Sequence, residues 1–469
     1  MTVRIIRFLS VGLIAIRGVV AQSPAPSALP PAHQALAREL LRQLVEINTS
    51  DSAGHTADAA EAVAQRLRTA GLPAADIQVL HPDAHIGMLV ARLRGKATGK
   101  RPILLMAHLD VVPARREDWS VDPFTLLEKD GWFYGRGTSD NKAGDATLVE
   151  TFTRYLQEKF VPDRDLIMVL TGDEETTGNS IDWVLRTHHD LVDAEFALNT
   201  DAGAGIERGG RRIAFTVQAS EKVYFTYQLE VRNRGGHSSL PRPDNAITTL
   251  ARGLDRLARY NFPVVLNEIT RTFFSRAAVL DTGGVAADMR AVAATGDSAA
   301  AARLSATPLY NAMLRTTCVA TRLEGGHADN ALPQVARGVV NCRILPGMPP
   351  ADVQRTIVQV LADTAIAVTV RQETPASPAS ALTPAIMGPI ERTAAQLFPG
   401  VTIIPDMSTG ATDGLFTRNA GIPTYGTGAL FGDPNDERAH GRDERVGVTA
   451  FYDAVEFWYR LLKALTSRS

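Results

Sequence analysis

Acidic and imidazole side chains follow three apolar runs of this chain. His108 and Asp110 end PILLMAHLD, Asp173, Glu174 and Glu175 end DLIMVLTGDEE, and Asp201 ends EFALNTD. His108 and Asp110 are two residues apart, and a strand repeats its side-chain direction every two residues, so both face the same way. One can ligate a metal while the other holds the imidazole in its tautomer. Alone, the pair reads better as a histidine ending a strand in solvent, and adjacent glutamates are usually a solvated turn. Together they are harder to dismiss, because carboxylates crowded into one crevice repel unless their pKa values rise or a cation joins them. Ionised Asp140, Glu175 and Asp201 carry three negative charges, which two divalent ions offset. Oxygen and imidazole donors suit zinc, with manganese or cobalt as alternatives. Glu174 and Glu175 diverge at a strand end, so one can bind metal while the other moves a proton. Amide hydrolysis needs that division, with a metal activating water and a free carboxylate carrying its proton to the leaving nitrogen.

The elements that must position these groups are legible in the hydrophobic pattern. Helical spacing in PAHQALARELLRQLVEI and AAEAVAQRLRTAG opens the chain, the second helix stopping at Gly71. Continuous apolar runs then alternate with helical segments at DATLVETFTRYLQEK and SIDWVLRTHH. Buried strands separated by helices indicate an α/β fold, a mostly parallel sheet with helices on both faces. In such sheets the carboxyl ends of the strands face the ligand crevice, which brings the three acidic termini together. Near Glu221 the pattern changes to β-α-β-β-α-β, from VYFTYQLEVR to IAVTVRQE, which is the ferredoxin-like unit. The expected organisation is a Pro-rich linker at 22–31, a catalytic domain at 32–219 and 376–469, and an inserted lid or dimerisation domain at 220–375. An Ala-rich helical excursion occupies residues 260 to 315 within the lid.

Composition narrows the partners. With 49 Lys and Arg against 51 Asp and Glu there is no basic stripe, so nucleic acid is not an expected partner. Cys318 and Cys342 are the two cysteines, too few for a thiolate zinc cluster. Residues 1–21, with Arg4 and Arg7 before an apolar run and Ala21 at its end, read as a secretory signal peptide. After its removal no other stretch is apolar enough to span a membrane. The expected location is therefore secreted or periplasmic, where Cys318 and Cys342 are free to pair. The chain has no GxSxG nucleophile elbow and no HExxH helix, GKATGK is one residue short of a phosphate loop, and GAGIERGG lacks the third glycine of a dinucleotide fingerprint.

HLDVVP, GRGTSDNK, GDEETTG, LNTD, GGHSS, STGATDG and AHGRDE together resemble the di-zinc metallopeptidase family of aminoacylase, carboxypeptidase G, dipeptidases and succinyl-diaminopimelate desuccinylase. The segment from HLDVVP to GRGTSDNK looks most like its carboxypeptidase S-like branch. The resemblance implies that Asp140 bridges two metals, with His108 and Asp201 on one, Glu175 and His440 on the other, and a cis peptide at Asp140–Asn141. It implies that Asp110 orients His108 and that Glu174 is the general base and acid. It also implies that His237 of RGGHSS reaches the partner's active site in a homodimer formed through the lid, and that Arg343 and Asn330 contact substrate. A guanidinium suits a carboxylate because it donates two parallel hydrogen bonds. The implied activity is hydrolysis of a peptide or amide bond beside a free carboxylate, as in a carboxypeptidase or dipeptidase. Deacylation of an N-acyl amino acid uses the same residues, and a non-catalytic metal-binding homologue is the remaining alternative.

Overall fold

The structure, a computed structural model, describes residues 27–467. The expected signal peptide lies outside those residues. The opening helices form at Pro31–Glu46 and Thr56–Ala70, and the second ends on Gly71 at φ 100°, the left-handed conformation that closes a helix at low cost for glycine. Ten strands make the large sheet. At its centre Ile103–His108 lies parallel to both Leu166–Thr171 and Phe196–Asn199, and the last of these is parallel to Thr424–Gly426. All residues of Ile103–His108 and Leu166–Thr171 are buried, which is why these strands read as unbroken apolar runs. The helices Lys142–Gln157 and Val448–Thr466 pack together on one face of the sheet. Ile181, Val184 and Leu185 of Asn179–Thr187 belong to the apolar layer on the other.

The smaller domain is a four-stranded antiparallel sheet, Thr317–Gly325, Val335–Ile344, Val223–Arg232 and Ile366–Glu373 in spatial order. Helices Ala246–Arg259 and Pro350–Leu361 cover it, so the β-α-β-β-α-β reading describes its chain order. Asn245 caps the first helix by accepting from the amides of Ile247 and Thr248. Cys318 and Cys342 face each other across neighbouring strands and are joined by a disulfide.

The excursion differs from its expected placement inside the lid. Its four helices, Glu268–Ala277, Gly283–Thr295, Ser298–Leu304 and Pro308–Leu314, leave the lid sheet, and the first packs on strand Thr402–Ser408 of the large sheet. Phe273, Phe274, Met289 and Val292 are buried in the same core as Phe215 and Ile404. The chain thus returns to the catalytic domain between two lid elements.

Candidate active site

Two parallel strands end side by side, His108 beside Thr171. His108 is buried, with Nε2 3.0 Å from Asp140 Oδ1 and 3.4 Å from Asp201 Oδ1. Its Nδ1 is 3.0 Å from the Asp110 carbonyl oxygen and 3.6 Å from the Asp110 carboxylate. A proton on Nδ1 donated to that carbonyl leaves Nε2 as a ligand. The Asp110 carboxylate has a second task that spacing alone did not suggest. It accepts the amides of Glu174, at 3.1 Å, and Glu175, at 2.9 Å, and so fixes the turn that presents the glutamate pair.

A second group forms where loops meet. His440 Nε2 is 2.9 Å from Glu175 Oε2 and 3.1 Å from Asp140 Oδ2. His108, Asp140 and Asp201 form one set of donors, and Asp140, Glu175 and His440 another, the donor atoms of each lying within 4.8 Å of one another. Asp140 is common to both, one oxygen turned to each imidazole. The peptide that follows it, Asp140–Asn141, is cis. The chemistry of the donors fits a pair of divalent ions: two imidazoles and three carboxylates, with a carboxylate between the halves.

Glu444, four residues beyond His440, holds this arrangement together. Fully buried, it accepts from Arg136 at 2.6 Å, from the amides of Gly137, Ser139 and Asp140 at 3.0, 2.8 and 3.1 Å, and from the Ser139 hydroxyl at 2.9 Å. One carboxylate thereby ties the loop bearing Asp140 to the loop bearing His440. The sequence reading quoted AHGRDE but gave Glu444 no part. A glutamate destined for full burial looks like any surface acid in a charged loop.

Electrostatics reflects the crowding. Burial alone would lower the His108 pKa, but Asp201, Asp110 and Asp140 raise it well above the ordinary range. Hydrogen bonds donated to the Asp140 and Glu175 carboxylates raise His440 to about 10. Burial pushes Asp201 up to about 6 and, with Asp201 beside it, holds Glu174 well above the usual carboxylate range. Divalent ions held by these groups would take the place of protons on the two imidazoles.

A cleft of about 660 Å³ lies over these groups, lined by Glu174, Glu175, Asp201 and His440 together with Arg343 of the lid. Arg343 stacks over Tyr224, 4.7 Å from the ring centroid, with its guanidinium available to the cleft. His237 and Asn330 are not brought to it. Both are exposed on the small two-stranded ladder of the lid, where Ser238 donates to the Asn330 carbonyl at 2.9 Å and His237 Nδ1 contacts the Ser239 hydroxyl at 2.7 Å. Asp173, grouped with the strand-end acids, turns inward and accepts the amides of Asn179 and Ser180, holding the start of the next helix. Asp413 was not singled out from the sequence. It is buried in the cleft wall, accepts from Thr171 at 2.6 Å and adds to the charge felt by Glu174.

Residues 104–464 match the family model described as Peptidase family M20/M25/M40. The chain belongs to this family. It is accordingly a metallopeptidase or amidohydrolase of the M20 group, whose members bind a dinuclear metal centre. It is 30% identical over 393 residues to the human protein N-fatty-acyl-amino acid synthase/hydrolase PM20D1, covering 79% of this chain and 75% of that one. It is 27% identical to Probable carboxypeptidase S-like 2 of Dictyostelium discoideum, covering 80% and 74%. In fold it is similar to the M20 family metallo-carboxypeptidase Sso-CP2 of Sulfolobus solfataricus, with a TM-score of 0.68 at 17% identity, over 92% of this chain and 99% of that one.

Proposed function

We propose that this M20 enzyme hydrolyses a peptide or amide bond next to a free carboxylate, as a carboxypeptidase or dipeptidase does. The observation that carries the reading is Arg343, a guanidinium without an ion-pair partner among the described residues, lining the same cleft as both sets of metal donors. His108, Asp140 and Asp201 would hold one ion and Asp140, Glu175 and His440 the other, most simply zinc, with cobalt or manganese as alternatives. Bound there, the ions supply Lewis acidity toward the carbonyl and an activated water. Glu174 takes the proton of the attacking water and delivers it to the leaving nitrogen. Its raised proton affinity suits a carboxylate that must hold that proton between the two events. Arg343 receives the substrate carboxylate, and the Asp110 carboxylate keeps Glu174 in place through its amide.

A second chamber favours N-acyl amino acids as an alternative substrate class. It measures about 390 Å³, shares Asp140 and Asp201 with the first, and is walled by Trp132, Ile206, Leu430 and Phe431. At its rim Arg438 and Arg445 both pair with Asp436. An apolar acyl group fits such a wall.

The lid reading extends to a homodimer in which His237 reaches the partner's cleft and steadies the developing oxyanion. Its exposure on the lid ladder supports that role, and sedimentation showing only monomer at micromolar concentration would remove it. Export from the cytoplasm is supported by the Cys318–Cys342 disulfide. Recovering the chain only from the cytoplasmic fraction would count against export.

The deciding experiment is turnover of dipeptides, N-acyl amino acids and their C-terminally amidated forms, with zinc, cobalt or manganese supplied. Amidated forms are expected to be poor substrates. Equal turnover of amidated and free forms would refute the carboxylate reading.

A further inference from the structure

One acid in the cleft wall is neither a metal donor nor part of a structural network. Asp406 belongs to strand Thr402–Ser408, which runs parallel to Arg211–Glu221 with Asp406 opposite Gln218. The register slips immediately afterwards, between Asp406 and Met407. Irregularities of this kind beside active sites re-aim side chains. Asp406 is half-buried and lines the cleft that also contains Glu174, Asp201, His440 and Arg343.

Its polar neighbours are occupied elsewhere. The Gln218 side chain donates to Glu221 at 3.1 Å and accepts from Arg418 at 3.2 Å. Arg418 pairs with Glu221 at 3.1 Å, and Ser408 Oγ accepts the amide of Gly410 at 3.0 Å. Lys222, at the start of the lid, donates to the Arg315 carbonyl at 2.7 Å. The Asp406 carboxylate has no side-chain partner among the described residues. Burial raises its pKa to about 6, which leaves it mostly ionised at neutral pH. Among the described residues lining the cleft, Arg343 has no ion-pair partner, and Asp406 is, apart from the general-base candidate Glu174, the carboxylate without a side-chain partner.

An amino acid released from an amide has three points of attachment: the scissile nitrogen, the α-carboxylate and the side chain. With the first at the metal donors and the second on Arg343, the third is left to the remaining lining, in which Asp406 is a carboxylate among neutral groups such as Gln218, Gln372 and Thr374. We propose that Asp406 is a specificity-determining residue that reads the side chain of the leaving amino acid and selects one ending in a cation, as in lysine, ornithine or arginine. This rests on the reading of Arg343 as the carboxylate receptor. The competing use of the acid is an ion pair with Arg343 itself, which would make Asp406 necessary for every substrate alike.

The experiment compares matched substrates that differ only in the leaving residue, Ala-Lys against Ala-norleucine and Nα-acetyl-lysine against Nα-acetyl-norleucine, on the metal-loaded enzyme. The wild type is expected to favour lysine in kcat/KM by about 10- to 100-fold, the worth of one charge-assisted hydrogen bond. Asp406→Asn should bring the ratio close to one while changing norleucine turnover by less than about threefold, and Asp406→Glu should restore part of the preference. Calorimetric binding of free lysine and norleucine to the same proteins reads the same preference without turnover. Equal loss on both substrates in Asp406→Asn, or a wild type indifferent to lysine in both turnover and binding, would overturn the proposal. Amidated substrates in the same panel separate the two readings. A free-carboxylate requirement without lysine preference removes the role of Asp406 alone, whereas lysine preference without that requirement removes the role of Arg343.

Discussion

Replacing Glu444 by Gln tests whether one buried carboxylate holds the two halves of the metal site in register. The substitution keeps the shape and one acceptor oxygen but turns the other oxygen into an NH₂ donor, facing either the Arg136 guanidinium and Gly137 amide or the Ser139 and Asp140 amides. Arg136, itself 2% exposed, then loses its anionic partner among the described residues, at 2.6 Å, and retains the Gly441 carbonyl at 2.9 Å. Removing one member of a buried ion pair costs about 3 to 5 kcal/mol. Unfolding entropy near 2.1 cal/mol/K per residue amounts to about 1 kcal/mol/K for a chain of this size, so the thermal midpoint should fall by about 3 to 5 °C. The loop carrying Asp140 also loses its anchor, and outer partners of this kind are typically worth 10- to 100-fold in metal affinity. The assay is competition with a chromophoric chelator on folded protein, alongside thermal melts of metal-free and metal-loaded forms. Arg136→Met and the double variant complete a cycle, in which the double should be less damaged than the sum of the singles. A Glu444→Gln protein that melts normally and binds metal with wild-type affinity would refute the reasoning.

Other expectations follow from the same geometry. Glu174→Gln should retain metal and lower kcat by at least about 100-fold, the usual general-base contribution, and near-normal turnover would sink that role. Opening the Cys318–Cys342 disulfide, which spans 24 residues, should destabilise the lid by about 3 kcal/mol, measured by denaturant unfolding of Cys318→Ala/Cys342→Ala; an unchanged midpoint would show that the strands need no cross-link. Glu150 is buried beside His33 at 2.7 Å, and burial raises its pKa to about 8. The folded state therefore keeps a proton that the unfolded chain releases above about pH 4.5, and stability falls as pH rises from there to about 8. Glu150→Gln should make that decline shallower and stabilise the protein by roughly several kcal/mol at pH 8, read from denaturant midpoints across pH; a variant with the wild-type slope would contradict it.

What could be read from the sequence divides along physical lines. His108, Asp110, Glu174, Glu175 and Asp201 were legible because each lies at the end of a buried apolar run, and a parallel sheet brings such ends together. Asp140 and His440 lie on loops, where no period announces a direction; the charge count included Asp140 without placing it, and the resemblance of GRGTSDNK and AHGRDE to a known family is what placed both. The lid was visible as a change from unbroken to alternating hydrophobicity. The packing of helices 268–314 was not, since an amphipathic helix shows that it has an apolar face and not which sheet that face will meet.

The same division explains Asp173 and Glu175, two residues apart in one acidic run. Both follow the same buried strand, and spacing treats them alike. Asp173 falls where the chain turns into the helix Asn179–Thr187, and the unpaired amides at that helix start draw its carboxylate inward. Glu175 falls where its own amide is held by Asp110, which directs its carboxylate to His440 instead. Which acid turns toward the candidate metal donors is thus decided by which backbone amides need an acceptor. Asp110 is the hinge of that choice, since it lies against His108 of one half of the site while fixing the turn that supplies a ligand to the other.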